Sequence, residues 1–205
     1  MATTDDYKVN LKDAYLKICT VKLNPGVLLG HNEAIQKMPA CYPFMKSIIK
    51  TFSLSPGHYA FNADDLFQGD APNSLVIGCV ASSAFNGSYD FYHYNFTFVN
   101  FMVDGQTVLT RPLQPDYENE NYLEAFQTLF ADREKSLNIS RSSYPKGYCL
   151  YVIKTQEDND TSTLKKGHIR LELKFAHALP ESVILVLYAK FPSLLQIDQA
   201  RNVYT

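Results

Sequence analysis

The sequence predicts an all-β chain: a jelly-roll β-sandwich of two packed antiparallel sheets, with about eight strands and two short helices in the connections. Three observations predict it. Several short segments alternate apolar and polar residues, the period of a half-buried strand. Glycine, proline, asparagine and aspartate clusters punctuate those segments as turns. Aromatics make up 13% of the chain, from 14 Tyr and 13 Phe with no Trp, and both residue types favour strands. Long connections carrying helices between strand groups suit Greek-key crossovers, which makes the jelly roll the specific expectation.

Taken in order, Leu11 to Leu23 (LKDAYLKICTVKL) sets Leu16, Ile18, Val21 and Leu23 among Lys17, Thr20 and Lys22. This is a strand pattern with a slip of phase near Cys19 that a bulge would absorb. Asn24-Pro25 then signals a helix start, with Asn as N-cap and Pro at the first helical position. Val27, Leu28, His31, Ala34, Ile35 and Met38 recur at helical spacing, and Pro39 ends the run. Met45 to Leu54 is the second strand, stopped by Ser55-Pro56-Gly57, and a short helix is expected near Asp64 to Phe67.

Leu75 to Val80 is a short apolar strand, followed by a polar loop through Asn86-Gly87-Ser88. Tyr92 to Val103 reads as one long aromatic strand. Asp104-Gly105 makes a tight turn, because glycine reaches the positive φ a hairpin needs. Gln106 to Arg111 returns, and Pro112 stops it. Glu118 to Phe130 spaces Tyr122, Ala125, Phe126, Leu129 and Phe130 as an amphipathic helix, its acidic start complementing the helix dipole. A turn of helix is expected at Ser140 to Tyr144. Strands follow at Gly147 to Thr155, Gly167 to Ala176 and Val183 to Phe191, with a charged loop at Gln156 to Lys166. In Gly167 to Ala176, Ile169, Leu171, Leu173 and Phe175 share one face. Val183 to Phe191 is apolar almost throughout, as a central strand would be. The chain shows no internal repeat and no linker, so one domain over residues 1–205 is expected.

A chain of 205 residues can bury a sizeable core without a disulfide or structural metal. Its net charge of −2 offers no basic excess for gripping phosphates, so no specific nucleic-acid contact is expected. Cys19, Cys41, Cys79 and Cys149 form no CxxC pair; Cys19, Cys79 and Cys149 fall in apolar strand patterns, where thiols act as small buried hydrophobes. The N-terminus lacks a basic-then-apolar signal, and no apolar run reaches the ~18 residues of a membrane span. A soluble intracellular protein, in cytoplasm or nucleus and not secreted, is the expectation.

Catalytic vocabulary is sparse. No GxSxG, HExxH or P-loop occurs. Asp64-Asp65 lacks the alternating carboxylates of a calcium loop, and Glu118, Glu120 and Glu124 read as a solvated helix start. No catalytic residue, metal ligand or cofactor is assigned.

Several segments together resemble a known family. They are Leu28-Leu29-Gly30-His31 with Pro39 and Tyr42-Pro43; Asp65-Leu66-Phe67; Leu75-Val76-Ile77-Gly78 through Ala84-Phe85-Asn86-Gly87-Ser88-Tyr89; Val103-Asp104-Gly105-Gln106 with Pro112 to Asp116; Ser143 to Tyr148; Ile169 to Ala176 with Ala178 to Glu181; and Ile197-Asp198 with Arg201-Asn202-Val203. From Tyr7 to Val203 their order and spacing resemble the C-terminal half of the hexon-like major capsid proteins of Maverick/Polinton elements and adintoviruses.

The resemblance implies a double jelly-roll subunit that trimerises and tiles an icosahedral shell around double-stranded DNA, with no catalytic residues. The chain has room for one jelly roll where the family has two. It is therefore expected to be either an excised second half or a version without the first barrel. Expected partners are copies of itself, in a trimer or larger assembly, or a companion jelly-roll domain; a virion would be a further location. The alternative is a domesticated cellular module on the same fold, binding a protein or glycan without catalysis. Tyr89, Phe91, Tyr92, Tyr117, Tyr122 and Phe126 are the expected contact residues, since Tyr and Phe are enriched at interfaces. The competing expectation for the helix aromatics is packing on their own sheet.

Overall fold

The computed structural model describes residues 10–86, 90–131, 137–155 and 166–205. In chain order its elements are α1 (Pro25–Lys37), β1 (Ala40–Leu54), β2 (Ala60–Asp64), β3 (Ser74–Ala81), a 3-10 turn (Ser82–Asn86), β4 (Phe91–Tyr92), β5 (Phe96–Val103), β6 (Gln106–Thr107), α2 (Leu123–Thr128), β7 (Lys146–Gly147), β8 (Leu150–Lys154), β9 (Ile169–Phe175), β10 (Val183–Ile197) and β11 (Val203–Tyr204). They fall into two compact units. One holds the described residues up to Ala40 together with Ile197–Asn202; the other holds Cys41–Gln196 and Val203–Thr205.

The larger unit is the all-β sandwich that the alternation predicts. One sheet runs β1-β10-β3-β8, with β11 also on β10, and the second runs β2-β9-β5-β6. The pairing has a simple logic. β1 lies beside β10, β2 beside β9, β3 beside β8 and β5 beside β6, so the principal strands nest like one long hairpin. Two further ladders, β3 with β10 and β5 with β9, roll that hairpin into two layers. This is jelly-roll connectivity.

The core follows from the period of each strand. In β9, Ile169, Leu171, Leu173 and Phe175 are buried while Arg170 and Lys174 are exposed. Across the layers they meet Leu75, Ile77 and Cys79 of β3 and Leu185, Leu187 and Ala189 of β10 in one core cluster. Phe96 stacks on Phe175 at 4.8 Å and meets Tyr151 edge-on at 5.4 Å. Gly78 is required by close approach: a Cβ there would lie 2.6 Å from both Leu150 Cδ2 and Phe91 Cδ1. The β5–β6 turn has Asp104 at φ 51° and Gly105 at φ 77°, as the Asp-Gly pair predicts.

Several expected elements change. The aromatic strand expected from Tyr92 is two strands, because Tyr94 and Asn95 take φ of 42° and 49° and reverse the chain between β4 and β5. His93 fixes this corner: its carbonyl accepts from the Phe96 amide and its Nδ1 from the Asn95 amide, both at 3.0 Å. The helix expected from Glu118 starts only at Leu123. Asp116 pairs with Asn121 through both backbone amides and accepts the Asn119 amide at 3.0 Å, which holds the acidic run in a turn. In place of the helix expected at Asp64 to Phe67, Asp64 ends β2 and a turn follows at residues 66–69; β2 and β11 are strands the alternation does not reveal. The strand expected to end at Phe191 continues through Pro192 to Ile197. Gly147 to Thr155 divides at Tyr148-Cys149 into β7 and β8.

In the smaller unit, Asn24 caps α1 as the Asn-Pro pair predicts, its Oδ1 accepting from the Gly26 amide at 2.9 Å. Arg201 donates to Asn32 Oδ1 at 2.6 Å. This helix precedes β1, whereas α2 lies in the connection between β6 and β7. The strand expected over Leu11–Leu23 does not form; the residues carry no secondary structure and are exposed throughout, Cys19 included. The apolar period is present, but a strand exists only where a neighbour completes its ladder.

Candidate functional site

Two features of the surface depart from an ordinary sandwich. The first is a cleft of about 540 Å³ lined by His93, Tyr117, Glu120, Tyr122, Arg141, Ser142, Pro145 and Lys146. The corner before β5 supplies His93, whose ring stacks on Tyr117 at 4.1 Å; Tyr117 in turn stacks on Tyr122 at 5.3 Å. Arg141 lies 5.5 Å over the Tyr122 ring and donates to the Glu120 carbonyl at 3.0 Å. The cleft thus has an aromatic wall and a rim of two cations and one carboxylate. Burial lowers the His93 pKa, which keeps the imidazole neutral as an acceptor for Asn95.

Behind the aromatic wall lies a polar knot. Tyr117 Oη is 2.9 Å from Cys149 Sγ and 2.6 Å from Tyr151 Oη, and Tyr144 Oη donates to the Leu150 carbonyl at 3.1 Å. Burial pushes all three phenols and the thiol above their ordinary ranges. Cys149 is therefore a neutral thiol at physiological pH and a poor nucleophile. The knot satisfies buried hydroxyls and ties the connection before α2 to β8; Thr128 Oγ1 links α2 itself to β8 by accepting from the Val152 amide at 3.2 Å.

The second feature is exposed apolar surface. β10 pairs with β3 only from Val183 to Lys190, so its remaining residues run past β3. Ser47 Oγ lies 2.8 Å from Tyr188 Oη, and Gln196 Nε2 lies 3.8 Å from Cys41 Sγ, which makes β1 antiparallel to β10 along this projection. Residues Cys41–Ser47 are all exposed. Tyr42 is 56%, Ile49 65% and Leu194 41% exposed. In the smaller unit, Leu11, Tyr15, Leu16, Ile18, Val21 and Leu23 are between 50% and 85% exposed, and no residue of α1 is buried. Runs of exposed large apolar side chains of this kind, in each unit by itself, mark interaction sites.

The expected contact residues divide. Tyr92 is 44% exposed, and Phe91 is half-buried against β3. Tyr122 is buried, and Tyr117 and Phe126 pack half-buried on the core. Tyr89 lies outside the described residues. The helix aromatics therefore pack chiefly on their own sheet, and Tyr117 and Tyr122 present only cleft-lining portions to solvent. Sequence reasoning missed His93 and Arg141 in the cleft and Tyr42 on the projection. The available signal for the latter was an apolar pattern beginning before Met45, which Pro43 obscured. Among the described residues no group of three or more His, Cys, Asp or Glu could hold a metal ion, and no helix is long and apolar enough to cross a membrane.

The larger unit is a jelly-roll β-sandwich, and each unit carries exposed apolar side chains. No family model matches the chain. It is 27% identical over 219 aligned positions to a Caenorhabditis elegans protein described only as uncharacterized; the match covers 96% of this chain and 51% of that protein. The chain thus spans about half the length of this relative.

Proposed function

We propose that the chain is a non-catalytic structural protein that works by self-association, resembling the C-terminal jelly roll of a Maverick/Polinton or adintovirus major capsid protein. In this reading its copies, or a copy and a companion jelly roll, form trimeric or larger capsomers of an icosahedral shell. The protein acts in the cytoplasm or nucleus before entering a virion.

One observation carries the reading. The sandwich already has a closed core, yet large apolar side chains from Leu11 to Leu23 and from Tyr42 to Ile49 stay in water. Such surface is costly to leave wet and is accounted for by partners. The relative is about twice as long as the part this chain matches, which leaves room in it for a second barrel. Light scattering of the purified chain across a concentration series tests the proposal, with electron microscopy of any assembly. Trimers or larger rings are expected; a strict monomer at every concentration overturns it.

A second reading has its own support. The aromatic cleft beside Arg141 and Lys146 suits a domesticated module that binds a protein or glycan. A glycan array, repeated with Arg141→Ala, tests it: binding lost with the substitution favours this reading, and no binding sinks it.

A further inference from the structure

We infer that Leu11–Leu23 of one copy adds as a strand to the open edge of β1 in a second copy. The inference rests on the self-association reading and names the surface through which it operates.

Two incomplete elements supply the argument. Leu11–Leu23 alternates like a strand but has no ladder, so its backbone donors and acceptors and its apolar side chains all face water. β1 is a strand of 15 residues that ends the strand order of its sheet, so one side of its ladder is open among the described residues. An open edge of that length is a template for a further strand. Strand addition satisfies both elements at once: backbone pairing supplies the attachment, and alternate side chains supply the fit.

Register follows from the same period. β1 buries its even-numbered positions near the sandwich, where Ile48, Phe52 and Leu54 lie, and Tyr42 and Phe44 continue that phase onto the projection. A one-residue slip of the incoming strand would turn its apolar face to water, so the two phases must match. Pro43 lacks an N–H, which removes one donor and narrows the registers that fit.

Area decides whether a second copy suffices as the occupant. With the slip near Cys19 absorbed by a bulge, Leu16, Ile18, Val21 and Leu23 share one face; each withdraws roughly 100 Å² on burial, or roughly 400 Å² for the arm. With a similar area on the acceptor, one junction covers roughly 800 Å², the size of a weak or transient contact. A copy that gives one arm and receives one has two such junctions, roughly 1,600 Å² in all, so closing a ring supplies what a single junction lacks.

Sedimentation of the full chain tests this. Leu16→Asp/Ile18→Asp disables the arm, and Tyr42→Lys/Phe44→Lys disables the edge. All four positions are exposed, so the sandwich fold, followed by near-ultraviolet circular dichroism, stays as in the parent chain. Each double variant is expected to weaken association by roughly a hundredfold or more. An equimolar mixture of the two has one intact junction and is expected to form dimers and nothing larger. Cys19 gives a probe that needs no substitution: its alkylation is expected to slow as parent-chain concentration rises. A parent chain that never associates sinks the self-association reading and this inference with it. A parent chain that associates while the arm variant does so equally, or while Cys19 reacts at a constant rate, overturns only the inference.

Discussion

β9 and the stretch Leu11–Leu23 carry nearly the same sequence pattern and meet opposite ends. Both interleave apolar residues with polar ones: Arg170, Glu172 and Lys174 in β9, Lys17, Thr20 and Lys22 in the arm. In β9, ladders on both sides bury Ile169, Leu171 and Leu173 completely. In the arm, Leu16 is 83% and Val21 85% exposed. The difference lies in the neighbours: β9 is flanked by β2 and β5, and no strand of the described chain flanks the arm. Alternation states which face a strand would bury. It does not state whether the same chain supplies the layer that buries it.

The comparison can be pressed from its strongest contrast downward. Leu171→Ala should cost ~2–5 kcal/mol, by lost transfer energy and the cavity left behind, measured by urea unfolding. Gly78→Ala should cost ~1–3 kcal/mol in the same assay, because the new methyl pushes on Leu150 and Phe91. Gly105→Ala has open space around it and should cost only the strain of a positive φ, roughly 1 kcal/mol. Leu16→Ala, in solution dilute enough to keep copies apart, should change stability by less than ~0.5 kcal/mol. A large effect of Leu16→Ala in dilute chain would mean that the arm is packed within its own molecule.

A pH series sharpens the same contrast at the corner before β5. The folded His93 pKa is lowered below 6.5 by burial, so the unfolded chain binds a proton there more readily than the folded one. Its contribution is constant above the unfolded pKa near 6.5. Stability then falls as pH drops through that value and levels off below the lowered folded pKa. The urea midpoint should decline from neutral to mildly acidic solution, and His93→Gln should flatten that part of the decline. An unchanged slope in the variant would discount the role of His93.

Legibility in the sequence tracked how local the deciding interaction is. The Asn24 cap, the Asp104-Gly105 turn and the alternation of β9 are settled by adjacent residues, and each appears where the pattern puts it. The break at Tyr94-Asn95 was hidden because Tyr92, Tyr94, Phe96 and Phe98 keep a perfect alternation through a corner that only backbone torsion reveals. β2 escaped notice because Phe61 and Ala63 are too few to make a period, and its identity comes from β9 beside it. Of the candidate site, the tyrosines were visible but their burial was not. The cleft joins His93, Tyr117 and Arg141 from separate connections, a meeting that exists only after the sheets have closed.

The nested pairing has a consequence for synthesis. β1 is made early and its ladder partner β10 is finished only at Ile197. At ~5–20 residues per second, roughly seven to thirty seconds separate the two during translation. For that interval the ribosome holds a nascent chain whose first sticky segments are out and whose roll cannot shut. Chaperone capture, or encounters between neighbouring nascent chains on one message, would act in this window, before any finished molecule exists.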